Sequence, residues 1–514
     1  MLMAEFRVCL NCEPELMNKA NIENWIINKI SQELKIIPAK INTHTNVAHY
    51  GLGSLQAITI CGELEDWLGI KIDYATFVNL KNVHEITNFL YKKTKKKISN
   101  IQKQNPGKEG EMNFLASFPQ IKELVNLEQK VKEAAGIDLY FCENEGQFNQ
   151  HTSIEGQTYL NFSSYNYLAF ANDQEVMNDA IEAIKQYGTS VSASRLVGGQ
   201  KPIHSQLEEA IANFLNTEDA LVFNSGYLTN VTTIGHLMDS NDLIILDELS
   251  HNSLVQGARL SGAAMKFYKH NDTHSLEKIL KATSGKFVKT LVVTEGIFSM
   301  DGDVPPLNDY IKLKQKFDFL IYVDEAHSLG VLGESGAGIG EYFAINRADV
   351  DIWMGTLSKA IASCGGYIAG NESLINYLKY TTPGFVYSCG LSPADTAAAL
   401  TSLKKLKHSS HRVKRLQELA SFLGNELKKS AIDTGLSFYT PIIPILIGDM
   451  NETIRLCVAL RKRQIYTQAI FPPAVANEAS RLRIFVNYSH SQDDLRLLAK
   501  TLHNLMTMDA TITN

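Results

Sequence analysis

Asp324, Glu325 and His327 follow the five apolar residues Phe319 to Val323, and Lys359 follows Asp351-Ile352-Trp353-Met354 within the run GTLSK. An apolar run of that length reads as a buried strand, and open parallel sheets place their ligands at the carboxyl ends of their strands. A carboxylate and an amine on two such strand ends can meet across one cleft. The pair suits pyridoxal phosphate, which needs a lysine to hold its aldehyde and an acid to keep its ring nitrogen protonated. Either residue alone would mean little, since an aspartate at a strand end is commonly a turn former and an isolated lysine a solvated charge. A phosphate needs backbone donors at a close approach, and Ser225-Gly226-Tyr227 after the run ALVF supplies a glycine turn opening a helix. For a carboxylate, a guanidinium offers a bidentate fork. The segment ASRLRIFVN offers Arg481 and Arg483, and strand alternation puts both on one face, so spacing does not choose between them.

These residues need a sheet to hold them. The runs ALVF (220–223), LIIL (243–246), TLVVT (290–294), FLIYV (319–323), DIWM (351–354) and GYIA (366–369) alternate with helical stretches. Their nearly continuous hydrophobicity predicts a mostly parallel sheet covered on both faces, in an α/β domain. After Pro393 the pattern turns helical, and 436–447 with 482–487 predicts the sheet of a smaller α+β domain. Residues 112–140 begin with helical character and read as an arm.

In chain order the motifs SSYNYLAF (163–170), GTSVSASRLVGGQKPIHSQLEEAIANF (188–214), FNSGYLTN (223–230), DELSHNSLVQGAR (247–259), TEGIFSMDGDVPPL (294–307), FLIYVDEAHSLG (319–330) and GTLSKAIASCGGYIAG (355–370) resemble those of the α-oxoamine synthases. The resemblance runs from near Met112 to the C-terminus. These are fold type I pyridoxal phosphate enzymes that join an amino acid to an acyl thioester with loss of carbon dioxide. It implies that Lys359 binds the cofactor and moves the α-proton, that Asp324 pairs with the ring nitrogen, that His327 reaches the phenolic oxygen and that His251 stacks on the ring. By the same resemblance Thr356 and Ser358 add hydroxyls beside the lysine, and Glu295 and Ser299 line the cofactor's oxygen side. Ser388 would reach the phosphate held by the other subunit of a homodimer. Counting from Pro472-Pro473, Arg483 matches the arginine that takes the substrate carboxylate, and Asn166 matches a substrate-side asparagine. His204 is read as structural. Where relatives have a Pro-x-Gly-Thr turn before the arginine strand, this chain has Ala476-Asn477-Glu478-Ala479.

The first hundred residues read as a separate module. Ile22, Trp25, Ile26, Ile30, Leu34 and Ile36 make a helical stripe, a second amphipathic helix opens at Ser54, and a last one spans about Val83 to Tyr91. This small all-α bundle resembles acyl carrier proteins, whose serine at the start of the second helix carries 4'-phosphopantetheine. That position is Ser54, which is also a good helix N-cap; Gly53 stands where the family has aspartate. The predicted organisation is a carrier-like domain over 1–91, a flexible basic linker over 92–111, an arm over 112–165, a cofactor-binding large domain over 166–395 and a small domain over 396–514.

Composition is ordinary for a globular protein: 514 residues, 45% hydrophobic and 20% charged. The net charge of −6 gives no reason to expect nucleic acid, and the lysines of 92–97 have no interleaved aromatics. No apolar run approaches a membrane span, and Glu5, Arg7 and Glu13 break up any signal peptide, so a cytoplasmic protein is expected. Seven scattered cysteines read as thiols, and the single CxxC of Cys9 and Cys12 makes no metal site by itself, so no metal is expected. The expected reaction is decarboxylative condensation of a small amino acid with an acyl thioester borne on Ser54 after a phosphopantetheinyl transferase has acted. Transamination, cleavage of a 2-amino-3-oxoacid, and a non-catalytic partner subunit are the alternatives. A subunit that had lost catalysis would not be expected to keep Lys359.

Overall fold

The computed structural model describes residues 19–34, 36–50, 60–61, 63–65, 67–68, 70, 72, 82–103, 114–437 and 439–508. They fall into two compact units, Met1–Lys122 and Glu123–Asn514.

In the first unit, helices Lys19–Leu34 and Val83–Lys103 are described throughout, and residues 60–68 are helical where described. Ile22, Ile26 and Ile30 recur every fourth residue, so one stripe of the first helix is buried, against Leu64, Leu68, Val83, Ile86 and Leu90. Each such side chain contributes about 1.5–3 kcal/mol when fully buried. Trp25 stacks on Trp67 at 5.3 Å between ring centroids. Ser54 and Gly53, like Cys9 and Cys12, lie outside the described residues. The flexible linker expected over 92–111 is corrected at its start, because the helix that begins at Val83 continues to Lys103. Lysine is a good helix former, and neither glycine nor proline interrupts the chain before Pro106.

In the second unit, the stretch read as an arm holds helix Pro119–Ala135 from Glu123 onward and a hairpin, β1 (His151–Ile154) and β2 (Gln157–Asn161). The large sheet comprises β3 (Asp219–Phe223), β4 (Leu243–Asp247), β5 (Ala264–Tyr268), β6 (Thr290–Glu295), β7 (Leu320–Asp324), β8 (Ile352–Thr356) and β9 (Gly366–Gly370). Their order is β3-β9-β8-β7-β6-β4-β5, with β9 antiparallel to both its neighbours and the remaining pairs parallel. Alternation along β7 sends Ile321 and Val323 into one apolar core and Tyr322 into the other, so both faces are covered. Farther along the chain lie β10 (Ile442–Leu446), β11 (Ile465–Tyr466), β12 (Gln468–Ile470) and β13 (Arg481–Phe485). β13 is central in the antiparallel sheet β10-β13-β12, whereas β11 pairs with β2. The hairpin inside the expected arm therefore shares a sheet with a strand of the C-terminal region.

Candidate active site

Glu295, Asp324 and Thr356 close β6, β7 and β8, and the register sets Glu295 opposite Asp324 and Asp324 opposite Met354. The parallel strands thus deliver two carboxyl groups and a hydroxyl to one sheet edge. Asp324 is buried; its Oδ1 accepts from Ala326 N at 2.9 Å and its Oδ2 from Asn230 Nδ2 at 2.7 Å. Lys359 lies on the loop after β8. Burial pulls its amine down to about 8, against the opposing pull of Asp324 and Glu295, and the Arg483 cation adds to the lowering. Glu295 is pushed well up by burial and then by the Asp324 charge, opposed by the His251 backbone N–H, from which its Oε1 accepts at 2.6 Å, and by Lys359.

His251 caps helix Asn252–Ser261, with Nδ1 2.7 Å from Ser253 Oγ. Burial and the cations Lys359 and Arg483 lower its basicity, opposed by Asp324. His327 is buried and its Nδ1 lies 2.8 Å from the Tyr167 hydroxyl. Burial first, then Lys359, Arg483 and His251, hold it well below the usual imidazole range, so it is neutral. Tyr167 also keeps its proton, because burial drives it well above 10. With Tyr167 donating, the His327 proton resides on Nε2, which has no protein partner among the described residues.

Ser225 caps helix Gly226–Leu237, its Oγ accepting from Leu228 N at 3.1 Å. The helix start packs hard on the sheet: a Cβ at Gly226 would stand 2.8 Å from Thr356 Oγ1, and one at Gly366 would stand 2.8 Å from the Gly226 Cα. Glycine at both positions lets the helix N-terminus, with its outward N–H groups, sit beside Thr356 and Ser358, whose hydroxyls are 2.8 Å apart. Tyr227 is half exposed and its hydroxyl donates to Asn252 Oδ1 at 3.1 Å.

The two arginines of β13 separate clearly. Arg481 Nη1 contacts Asp301 Oδ1 at 2.6 Å, so its charge is already matched. Arg483 donates to Ser299 O at 3.2 Å and Tyr165 Oη at 3.0 Å, and its buried Nε has no partner. No carboxylate pairs with Arg483 among the described residues. Ser299 enters this cluster through its carbonyl. Asn166 is occupied within its own loop, donating to Asn172 Oδ1 at 3.0 Å and accepting from Ala171 N at 3.2 Å. None of the cluster's hydrogen bonds reaches Ser388, whose N–H donates to Phe385 O at 3.4 Å. His204 is buried and spans from Lys201 N to Leu391 O, a structural strut. Asn230, Ser253, Tyr322 and Tyr167 are the members sequence reasoning missed. A cavity of about 1190 Å³ lined by Leu127, Val131, Tyr159 and Phe471 lies elsewhere in this unit and contains none of these residues.

Behind the site, His270 bridges Asp247 at the end of β4 and Asp303 after β6, at 2.8 Å to each. Burial disfavours its charge, but hydrogen bonds to the two carboxylates and their charges outweigh that and lift it to about 10. Since this exceeds the ordinary 6.5, the stabilisation is complete below about pH 6.5 and fades as pH rises through about 10. His270→Gln is expected to cost about 3 kcal/mol at pH 6, a penalty that narrows above pH 10. Denaturant unfolding of wild type and variant at both pH values checks this; equal stability at pH 6 would show that the clasp contributes nothing.

The donor set fits pyridoxal phosphate: a buried carboxylate, an amine of lowered basicity, a histidine at the helix cap, a glycine-opened helix N-terminus beside two hydroxyls, and an unmatched guanidinium. Residues 157–502 match the family model "Aminotransferase class I and II", and residues 24–90 match "Phosphopantetheine attachment site". The chain is 41% identical over 353 residues to a putative 8-amino-7-oxononanoate synthase of Acetivibrio thermocellus, covering 68% of this chain and 90% of that one. It is 36% identical to the 8-amino-7-oxononanoate synthase of Thermoanaerobacter pseudethanolicus, covering 75% and 98%. Among solved structures, serine palmitoyltransferase of S. paucimobilis, a variant with PLP and myriocin bound, superposes with a TM-score of 0.73 at 25% identity, covering 76% of this chain and 98% of that one. The 8-amino-7-oxononanoate synthase of Francisella tularensis gives 0.61 at 25%, covering 68% and 99%. No helix among the described residues is long and apolar enough to cross a membrane. This chain belongs to the α-oxoamine synthase family, a pyridoxal phosphate-dependent C-acyltransferase of fold type I preceded by a phosphopantetheine attachment domain.

Proposed function

We propose that the synthase condenses a small α-amino acid with an acyl thioester delivered on a phosphopantetheine arm at Ser54, releasing carbon dioxide and an α-aminoketone. The observation that carries the reading is the attachment-site match over residues 24–90, which includes Ser54, in the same chain as a condensing domain. Bound pyridoxal phosphate supplies the electron sink that lets the substrate's α-carbon carry negative charge. Arg483, a cation that no carboxylate among the described residues pairs with, would bind the substrate carboxylate. Lys359, pulled down to about 8, is basic enough to take the α-proton and acidic enough to return one. Asp324 and His251 would hold the ring, His327 and Glu295 would face its oxygen side, and the Ser225–Tyr227 turn with Thr356 and Ser358 would cradle the phosphate. Asn166 would reach substrate through the amide N–H that its loop leaves free.

The bonds balance without a further reactant. The α-carbon gives up its proton and forms a bond to the thioester carbonyl, the carbon–sulfur bond breaks and the thiol leaves with a proton, the bond to the carboxylate breaks to give carbon dioxide, and the α-carbon takes up a proton. A homodimer is supported by an exposed apolar patch beside Ser388: Tyr387 is 85% exposed, Val197 is 80% exposed, and their segments are joined by the Ser194–Cys389 bridge. In such a dimer Ser388 would serve the other subunit's phosphate.

The test is intact mass after incubation with coenzyme A and a broad-specificity phosphopantetheinyl transferase. Wild type is expected to gain one arm and Ser54→Ala none, and the loaded form should release carbon dioxide with a small amino acid. A folded wild type that gains nothing would remove the carrier role. A free acyl-coenzyme A donor is the second reading, favoured by the Thermoanaerobacter relative, which aligns over 98% of its own length with only 75% of this chain.

A further inference from the structure

Asn230 sits on helix Gly226–Leu237, buried, with every hydrogen-bonding atom of its amide engaged. Its Oδ1 accepts from the Tyr322 hydroxyl at 2.6 Å; its Nδ2 donates to Asp324 Oδ2 at 2.7 Å and to Ser253 Oγ at 2.9 Å. Ser253 in turn lies 2.7 Å from His251 Nδ1. We propose that Asn230 is a positioning residue, which locks the orientation of Asp324 and, through Ser253, fixes His251 as its Nε2–H tautomer.

The direction of the relay follows from donors and acceptors. Tyr322 lies wholly inside the sheet and keeps its proton, because burial and then the Asp324 charge drive it well above 10. A tyrosine hydroxyl that donates to Asn230 orients the amide, oxygen towards Tyr322 and nitrogen towards Asp324. The two hydrogens on Nδ2 serve Asp324 and Ser253, which makes Ser253 Oγ an acceptor there. The Ser253 proton is then directed at His251 Nδ1, which also accepts from Ser253 N at 3.3 Å. A ring nitrogen that accepts carries no proton, so the imidazole proton is on Nε2. The groups facing His251 are Asp324 of β7, Lys359 after β8, Arg483 of β13 and Glu295 of β6, whose carboxyl accepts from the His251 backbone. The helix that carries Asn230, strand β7 and the helix capped by His251 are thereby tied to one buried amide, and the only other tie runs through β6, where Gly296 N donates to Asp324 O and His251 N donates to Glu295 Oε1, among the described hydrogen bonds.

The inference rests on the pyridoxal phosphate assignment and not on the carrier. The experiment uses the holoenzyme and compares wild type, Asn230→Ala, Ser253→Ala and Tyr322→Phe by visible absorbance against pH, kcat and KM for the amino acid, and thermal melting. A merely structural residue would change melting alone. Asn230→Ala is expected to keep the lysine-bound absorbance band, to alter its pH dependence, and to lower kcat roughly tenfold with KM nearly unchanged, as loss of an outer hydrogen-bond partner commonly does. Ser253→Ala, which leaves the bond to Asp324 intact, should move the pH profile of kcat and leave the band in place. Wild-type absorbance and kcat profiles in both variants overturn the proposal. If Asn230→Ala does not fold, Ser253→Ala and Tyr322→Phe decide it by the same profiles. A wild type without the band would overturn the cofactor assignment itself, a result separate from any variant.

Discussion

Lys359→Ala is expected to abolish the visible band of the bound cofactor and to lower kcat by more than about 10³-fold, because in the proposed site one amine would both anchor the aldehyde and move the α-proton. Lys359→Arg separates charge from nucleophilicity: the guanidinium stays protonated, so it preserves the cation beside Asp324 and Glu295 but forms no bond to the aldehyde. The arginine variant should therefore also lack the band. If either variant retains it, another amine holds the cofactor and the site is misassigned.

The same lysine sets a pH dependence. An amine at about 8 is neutral in roughly a tenth of molecules at pH 7, against about three in ten thousand at the unshifted value. Only the neutral amine attacks an aldehyde. Reconstitution of the apoenzyme should accelerate as pH rises towards about 8 and then level, rather than continue rising towards 10. Stopped-flow absorbance measures this directly. The lowering comes chiefly from burial, so it is a property of how the loop after β8 closes over the sheet and not of a single neighbouring charge.

How much of this was legible in the sequence depends on where each residue's partners lie. β7 and β8 announce themselves because both faces are buried, leaving Phe319–Val323 and Ile352–Met354 almost uniformly apolar. β5 does not: it is an edge strand, of its residues only Tyr268 is fully buried, and AMKFY shows no clean period. β1 and β2 are short and rich in Thr, Ser and Gln, so their pairing with β11 carries no local signal. Asn230 and Ser253 stood inside motifs that were recognised, yet their role depends on Asp324, 94 positions from Asn230. Strand period could not rank Arg481 against Arg483 either, because the deciding group, Asp301, is 180 positions away. The lysine run after Tyr91 reads as linker because lysines bury little, but burying little and failing to form helix are different properties.

That arginine pair gives the second large effect. Arg483→Ala is expected to raise KM for the amino acid by about 100-fold, equivalent to about 3 kcal/mol for losing one side of a desolvated charge pair. Arg483→Lys should recover only part of this, since an ammonium offers no bidentate fork. Arg481→Ala should instead leave KM near wild type and lower the melting temperature, because it strands the Asp301 carboxylate. The electrostatics add a signature that simple misfolding would not produce. Arg483 helps hold down the Lys359 amine and the His251 and His327 imidazoles. Its removal should move the plateau of cofactor uptake to higher pH, while removal of Arg481 leaves that plateau in place. A KM effect in Arg481→Ala with none in Arg483→Ala would reverse the assignment and make Asp301, not a substrate carboxylate, the incidental partner.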